Sequence, residues 1–218
     1  MRPHRLQDGA FLIVDDHALL REGVASVLRT LCLEGNRIEQ ADHLAQAIAR
    51  LSAEGGKGWT VVLDLHLPDS AGLSTLEAIR EAAPLARIAI VSAHHDLDLA
   101  IQCIQAGACA FVPKHGSLVE FQQALAVIAS GGVYFPKELF VSAGVAATET
   151  KQNAPAAELT PRQVEVLRGL LDGLSNAAIA KQLQISEETV KLHVRAILRA
   201  HGAANRVQLL LGFARQAA

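Results

Sequence analysis

Aromatic residues are scarce in this chain: one Trp, one Tyr and six Phe in 218 residues, 4% of the total. Any core must therefore be packed mainly by Leu, Ile, Val and Ala, and with half of the residues hydrophobic there is enough material for one. Cysteine is nearly as rare. Cys32, Cys103 and Cys109 are odd in number and form no CxxC pair. That argues against a disulfide framework or a zinc ribbon and reads as three small buried hydrophobes in a reducing cytoplasm. No apolar run reaches the length of a membrane span, and "MRPHRLQDGAFLIVDD" shows no long h-region of a secretion signal. These absences predict a cytoplasmic protein that makes no use of a membrane.

A strong net charge is also missing: the total is −2. Its distribution is uneven, however. From Leu159 onward eight Lys/Arg stand against four acids, and before it twelve stand against eighteen, so the two parts carry +4 and −6. An acidic part is joined to a part able to approach an anion.

What is present is a regular alternation. Strand candidates are Ala10–Val14, a weak one at Arg37–Gln40, Thr60–Asp64, Arg87–Ser92 and Cys109–Val112. Amphipathic segments lie between and after them, at His17–Leu31, Leu44–Ala53, Leu73–Ala82, Leu97–Ala106 and Leu118–Ala129. Five strand–helix units predict the α/β class, a doubly wound five-stranded parallel sheet with helices on both faces. Ligands of such sheets bind outside the carboxyl ends of the strands. The polar, Pro-containing Ser142–Glu158 reads as linker. "LTPRQ" then starts a helix, with Thr160 as N-cap and Pro161 at the first helical position. Helices at Asn176–Gln182, Glu187–Ala200 and Arg206–Gln216 complete a small all-α domain with a helix-turn-helix pattern. The expected organisation is residues 1–135, a linker at 136–158, and residues 159–218.

In "FLIVDDHALLREG" an apolar strand runs into two adjacent carboxylates, Asp15 and Asp16. Asp64 ends the third strand, which would lie beside the first in a parallel sheet, so three carboxylates converge at one edge. They cannot all stay ionised there without a cation. Hard oxygen donors with few protein contacts favour Mg2+. Ser92 ends the fourth strand and Lys114 follows the fifth, adding a hydroxyl and a point charge for an oxyanion. This combination suits an aspartyl-phosphate, with Asp64 the nucleophile because Asp15 and Asp16 are placed to bind metal.

The segments "IVDDHALLREG", "VVLDLHLPDSAGL", "IVSAH" and "GACAFVPK" resemble the receiver domain of two-component response regulators of the NarL/FixJ type, from about Ala10 to Ala129. The resemblance implies a flavodoxin-like receiver in which Asp64 accepts a phosphoryl group from a sensor histidine kinase. It implies further that Asp15, Asp16 and Asp64 hold Mg2+ with the backbone carbonyl of His66, and that Lys114 contacts the phosphate. Ser92 and Phe111 would form the switch pair, Pro68 and Gly72 would shape the loop after the phosphoacceptor, and Pro113 the bend before helix five. His66 and His94 occupy positions that tune phosphate lifetime in the family.

"LTPRQVEVLRGLLDGLSNAAIAKQLQISEETVKLHVRAIL", continued by "GAANRVQLL", resembles the LuxR-type helix-turn-helix domain over nearly all of 159–211. Within it Val190, Val194, Ile197 and Leu198 recur at helical spacing and should face the core, leaving Lys191, Leu192, Arg195 and Arg199 outward for a DNA major groove. The resemblance places base-edge contacts at Lys191, Leu192 and Arg195, and phosphate contacts at Asn176 and Thr189. It implies double-stranded DNA bound by a homodimer through Val207, Leu210 and Leu211 of the last helix; the same residues could instead pack inside their own domain. The chain departs from the usual pattern at Gln163, Ala177, Ala178, Ala196 and Ala200, which removes polar contacts.

The leading expectation is a transcription factor under phosphorylation control, not an enzyme. Alternatives stand beside it, and a small-molecule-sensing LuxR regulator is disfavoured because the first 130 residues resemble a receiver instead. A receiver-fold DNA-binding protein without phosphorylation control would be expected to have lost a site residue, and all five are present. An aspartyl-phosphate hydrolase would carry Asp two residues after the nucleophile, where this chain has His66.

Overall fold

The computed structural model describes residues 9–31, 36–52, 55–93, 96–136, 138–139, 159–203 and 205–217. Cys32, His94 and the Ser142–Glu158 linker therefore lie outside the described residues.

Strands β1 (Ala10–Val14), β2 (Arg37–Ala41), β3 (Trp59–Asp64), β6 (Arg87–Ser92) and β7 (Ala110–Pro113) form one parallel sheet in the order β2-β1-β3-β6-β7. The three central strands are almost wholly buried, as strands covered by helices on both faces must be. A two-stranded hairpin, β4 (His66–Leu67) and β5 (Ser70–Ala71), follows β3. Around the sheet run α1 (Ala18–Leu31), α2 (Leu44–Leu51), α3 (Leu73–Ala82), α4 (Leu97–Gln105) and α5 (Leu118–Ala129). As the composition requires, aliphatic residues dominate the core, with Phe11 and Phe111 its largest fully buried side chains. Cys103 and Cys109 are both buried and free, and burial pushes the Cys103 thiol up to about 12.

After α5 the chain returns to the edge of the sheet. Tyr134 pairs in parallel with Ala110, Phe111 N–H donates to Tyr134 O at 2.9 Å, and Tyr134 N–H donates to Cys109 O at 3.4 Å. Residues 132–136 thus strap the β7 edge, which would otherwise expose unpaired backbone groups.

The second domain contains α6 (Pro161–Leu171), α7 (Asn176–Leu183), α8 (Glu187–Ala200) and α9 (Arg206–Ala217). Thr160 and Gln163 form a capping box in front of α6, with Pro161 in the first turn. Ser175 and Ser186 cap α7 and α8, and Gln184, at a φ of 54°, makes the left-handed exit from α7 that turns the chain into α8. Val166, Leu170, Ile179, Val190, Ile197 and Leu209 pack together as the core of this domain.

Helix α9 faces both ways. Leu209 packs in its own domain, whereas Val207, Leu210, Leu211 and Ala214 join the core cluster of the first domain, with α9 lying against α4. The sequence offered a second copy or the home domain as their cover; the structure gives them the first domain instead. None of the described helices is long and apolar enough to cross a membrane.

Candidate functional site

Parallel pairing puts the carboxyl ends of β1, β3, β6 and β7 on one edge. Asp15 continues the ladder beyond β1, its N–H donating to Ala41 O at 3.1 Å. Asp64 ends β3 opposite Val91, and Ser92 ends β6 opposite Pro113. Lys114 N–H then donates to Ser92 O at 2.6 Å. Four of the five residues read from the sequence, Asp15, Asp64, Ser92 and Lys114, are held in place by backbone pairing, and Asp16 follows Asp15 directly.

The side chains close the arrangement. Lys114 Nζ lies 2.7 Å from Asp15 Oδ2 and 2.6 Å from Asp64 Oδ2. Burial, which favours the neutral amine, is outweighed by the hydrogen bonds and charges of Asp15 and Asp64, so Lys114 is held above the ordinary lysine value. Asp64 Oδ1 accepts the His66 N–H at 3.2 Å. Asp15 and Asp64 form a floor only 3% and 4% exposed, and the exposed Asp16, His17 and His66 form the rim.

The ligating atoms of Asp15, Asp16, His17 and Asp64 all lie within 4.8 Å of one another. His17 Nδ1 is 3.0 Å from Asp15 Oδ1 and 2.7 Å from Asp16 Oδ1. An oxygen-rich pocket into which Lys114 and His17 are both drawn is a cluster that could hold a metal ion.

Ser92 is fully buried behind the edge. Phe111 is also buried, at 1% exposure, and lines a cavity of about 200 Å³ with Leu97, Ala100, Pro113 and Pro136. The hairpin after Asp64 turns at Pro68 and Asp69 and reaches α3 through Gly72, at a φ of 67°. Asp69 in that loop accepts the N–H of Leu44 at 2.8 Å and of Ala45 at 2.9 Å, capping α2. The sequence reading passed over Asp69 and His17, although a Pro-Asp turn and a His adjoining two acids were both visible signals. It also missed Tyr134, Arg87 and Asp172, whose partners are far away in the chain.

In the second domain the outward stripe matches expectation. Lys191, Leu192, Arg195 and Arg199 are exposed, while Val190 and Ile197 are buried and Val194 and Leu198 half-buried. Glu188 and Glu187 lie 3.1 and 3.9 Å from Lys191 Nζ, and the hydrogen bond that Lys191 donates to Glu188 holds this ammonium above its usual range. Asn176 opens α7 behind its N-cap, and Thr189 shares a 2.7 Å hydroxyl contact with Ser186 in the first turn of α8.

Residues 11–126 match the response regulator receiver domain, and residues 157–212 match the bacterial regulatory proteins of the luxR family. The glycerol metabolism activator of Pseudomonas putida is 34% identical, with 92% of each chain covered. The nitrate/nitrite response regulator protein NarP of Escherichia coli is 32% identical over 94% of each, and NarL of the same organism 28% over 93% of each. Among solved structures, the RcsB response regulator of Salmonella typhimurium has a TM-score of 0.53 at 20% identity, covering 94% of this chain and 97% of that one. It shares the fold.

Proposed function

The chain is a two-component response regulator that controls transcription, a member of the family joining a receiver domain to a LuxR-type DNA-binding domain, and we propose that Asp64 is its phosphoacceptor. In this reading a sensor histidine kinase presents a phosphorylated imidazole. A carboxylate oxygen of Asp64 attacks phosphorus, the O–P bond forms, the N–P bond breaks and the imidazole leaves. Asp15, Asp16 and Asp64, with the backbone carbonyl of His66, would hold Mg2+, which when bound neutralises charge on the transferring oxygens.

Lys114 passes from the Asp64 carboxylate to a phosphoryl oxygen, keeping its charge because Asp15 remains beside it. The Ser92 hydroxyl turns toward the phosphoryl group, and Phe111, its switch partner, repacks into the neighbouring cavity. What carries the reading is the Lys114 bridge: one ammonium joins Asp64 to Asp15 across the ends of three strands.

The output is double-stranded DNA. The exposed stripe of α8 enters the major groove, with Lys191, Leu192 and Arg195 at base edges and Arg199 beside them. Asn176 and Thr189 sit at the starts of α7 and α8, where they fix register on phosphates. One such module gives a modest contact, so two copies bind paired half-sites through α9.

Acetyl phosphate with Mg2+ tests this. By intact mass the native chain gains one phosphoryl group and Asp64→Ala gains none. Phosphorylated native protein then retains a random-sequence duplex pool more strongly. Equal DNA retention with and without phosphate at Asp64 leaves a receiver fold that does not control DNA binding.

A further inference from the structure

The strap on β7 and the seam between the domains meet at one side chain, Arg87. It opens β6 and is only 6% exposed. Its Nη1 pairs with Asp172 Oδ1 at 2.5 Å, across the seam, and its Nη2 donates to Gly132 O at 2.7 Å, at the start of the strap. Two residues further along the strap, Tyr134 O accepts the backbone N–H of Phe111. A continuous line of contacts therefore runs from the switch aromatic through Tyr134, Gly132 and Arg87 to Asp172 of the DNA-binding domain.

The seam is built to be only just closed. The backbones of Gly107 and Gly173 face each other so closely that a Cβ on Gly173 would lie 2.2 Å from Gly107 O. Arg80 donates to Gly107 O at 2.7 Å on one side, and Arg206 to Leu174 O at 2.9 Å on the other. The Nε atoms of Arg80, Arg87 and Arg206 are buried and make no hydrogen bond within the described residues. Burial draws Arg80 and Arg206 down to about 10. What the seam covers is the apolar face of α9, since Val207, Leu210, Leu211 and Ala214 are buried in the receiver's cluster. The DNA-reading stripe on α8 stays exposed throughout.

We propose that Arg87 is the clasp that couples the phosphoacceptor site to the DNA-binding domain, and that it acts on α9 and not on the reading helix. Repacking of Phe111 shifts the Tyr134 carbonyl, the strap moves, Arg87 loses Gly132 and then Asp172, and the apolar face of α9 is uncovered. The trigger rests on the phosphoacceptor reading above; the clasp itself does not.

Hydrogen exchange on the full chain, read by mass spectrometry, tests both parts. Asp172 is half-exposed, so Asp172→Asn keeps the fold while removing the charge on the clasp. In that variant, without phosphate, the α9 amides exchange about tenfold faster than in the native chain, while α7 and α8 keep native protection. In the native chain acetyl phosphate with Mg2+ speeds exchange in α9 and in residues 132–136, and in Asp64→Asn it speeds neither. Unchanged α9 protection in Asp172→Asn overturns the clasp. Native protein that gains phosphate by mass yet keeps α9 and the strap protected overturns the coupling. A native chain that gains no phosphate counts against Asp64 instead, and the Asp172→Asn comparison still decides the clasp.

Discussion

Lys114 does at the scale of a residue what a metal ion does at the scale of a site. Two carboxylates with 3% and 4% exposure, Asp15 and Asp64, share its ammonium, and His17 sits against Asp15 and Asp16. Because its value is raised on folding, Lys114 contributes stability throughout the neutral range, and that contribution is lost only as pH climbs past the lysine range. Removing it leaves two buried like charges facing each other. Lys114→Met should lower the unfolding free energy in EDTA by about 3 kcal/mol. Mg2+ should restore part of that loss, because a divalent ion compensates the same carboxylates. Urea unfolding with and without Mg2+ measures both effects, and a variant as stable as native in EDTA would show that the bridge carries no weight.

Among the elements, the loop between Asp64 and α3 is tied down at its far end. Asp69 caps α2 with both carboxylate oxygens, and Thr75 Oγ1 donates to Leu65 O at 3.0 Å, so the hairpin that follows the phosphoacceptor is fastened to two helices. Asp69→Ala should cost about 1 kcal/mol, the ordinary loss of an N-cap. It should also speed amide exchange across residues 65–72, although Asp69 makes no contact with the carboxylate cluster. A drop in thermal stability with the loop's exchange unchanged would restrict Asp69 to α2. In the second domain Thr160 with Gln163, Ser175 and Ser186 cap the helices in the same way, and the start of α6 was legible in "LTPRQ" because capping is local and needs only three or four residues of context. Ends without such a marker were read less well. Helix α2 stops at Leu51, two residues before the expected Ala53, and α9 runs one residue past Gln216.

Over the whole molecule, the decisive feature is the contact of Gly107 with Gly173. Gly173→Ala places a methyl group where the Gly107 carbonyl now stands, so the domains must part. Its φ of 79° adds a local cost of about 1 kcal/mol, too little to unfold α6. Sedimentation velocity should show a slower, more extended particle, and α9 should lose protection as in Asp172→Asn. A variant that sediments like the native chain would mean the seam accommodates the methyl group by a local shift.

By itself the sequence determined the sheet, the meeting of Asp15, Asp64, Ser92 and Lys114 at its edge, and the outward stripe of α8. Each follows from a periodicity or a strand end, and a parallel sheet allows strand ends only one place to converge. Tertiary structure alone decided which surface covers α9, where the buried Arg87 finds Asp172 and Gly132, and that the chain after α5 doubles back onto β7. Arg87 and Asp172 stand 85 positions apart, and α9 and α4 further still; their approach is set by the fit of two finished domains, and no local pattern encodes that fit.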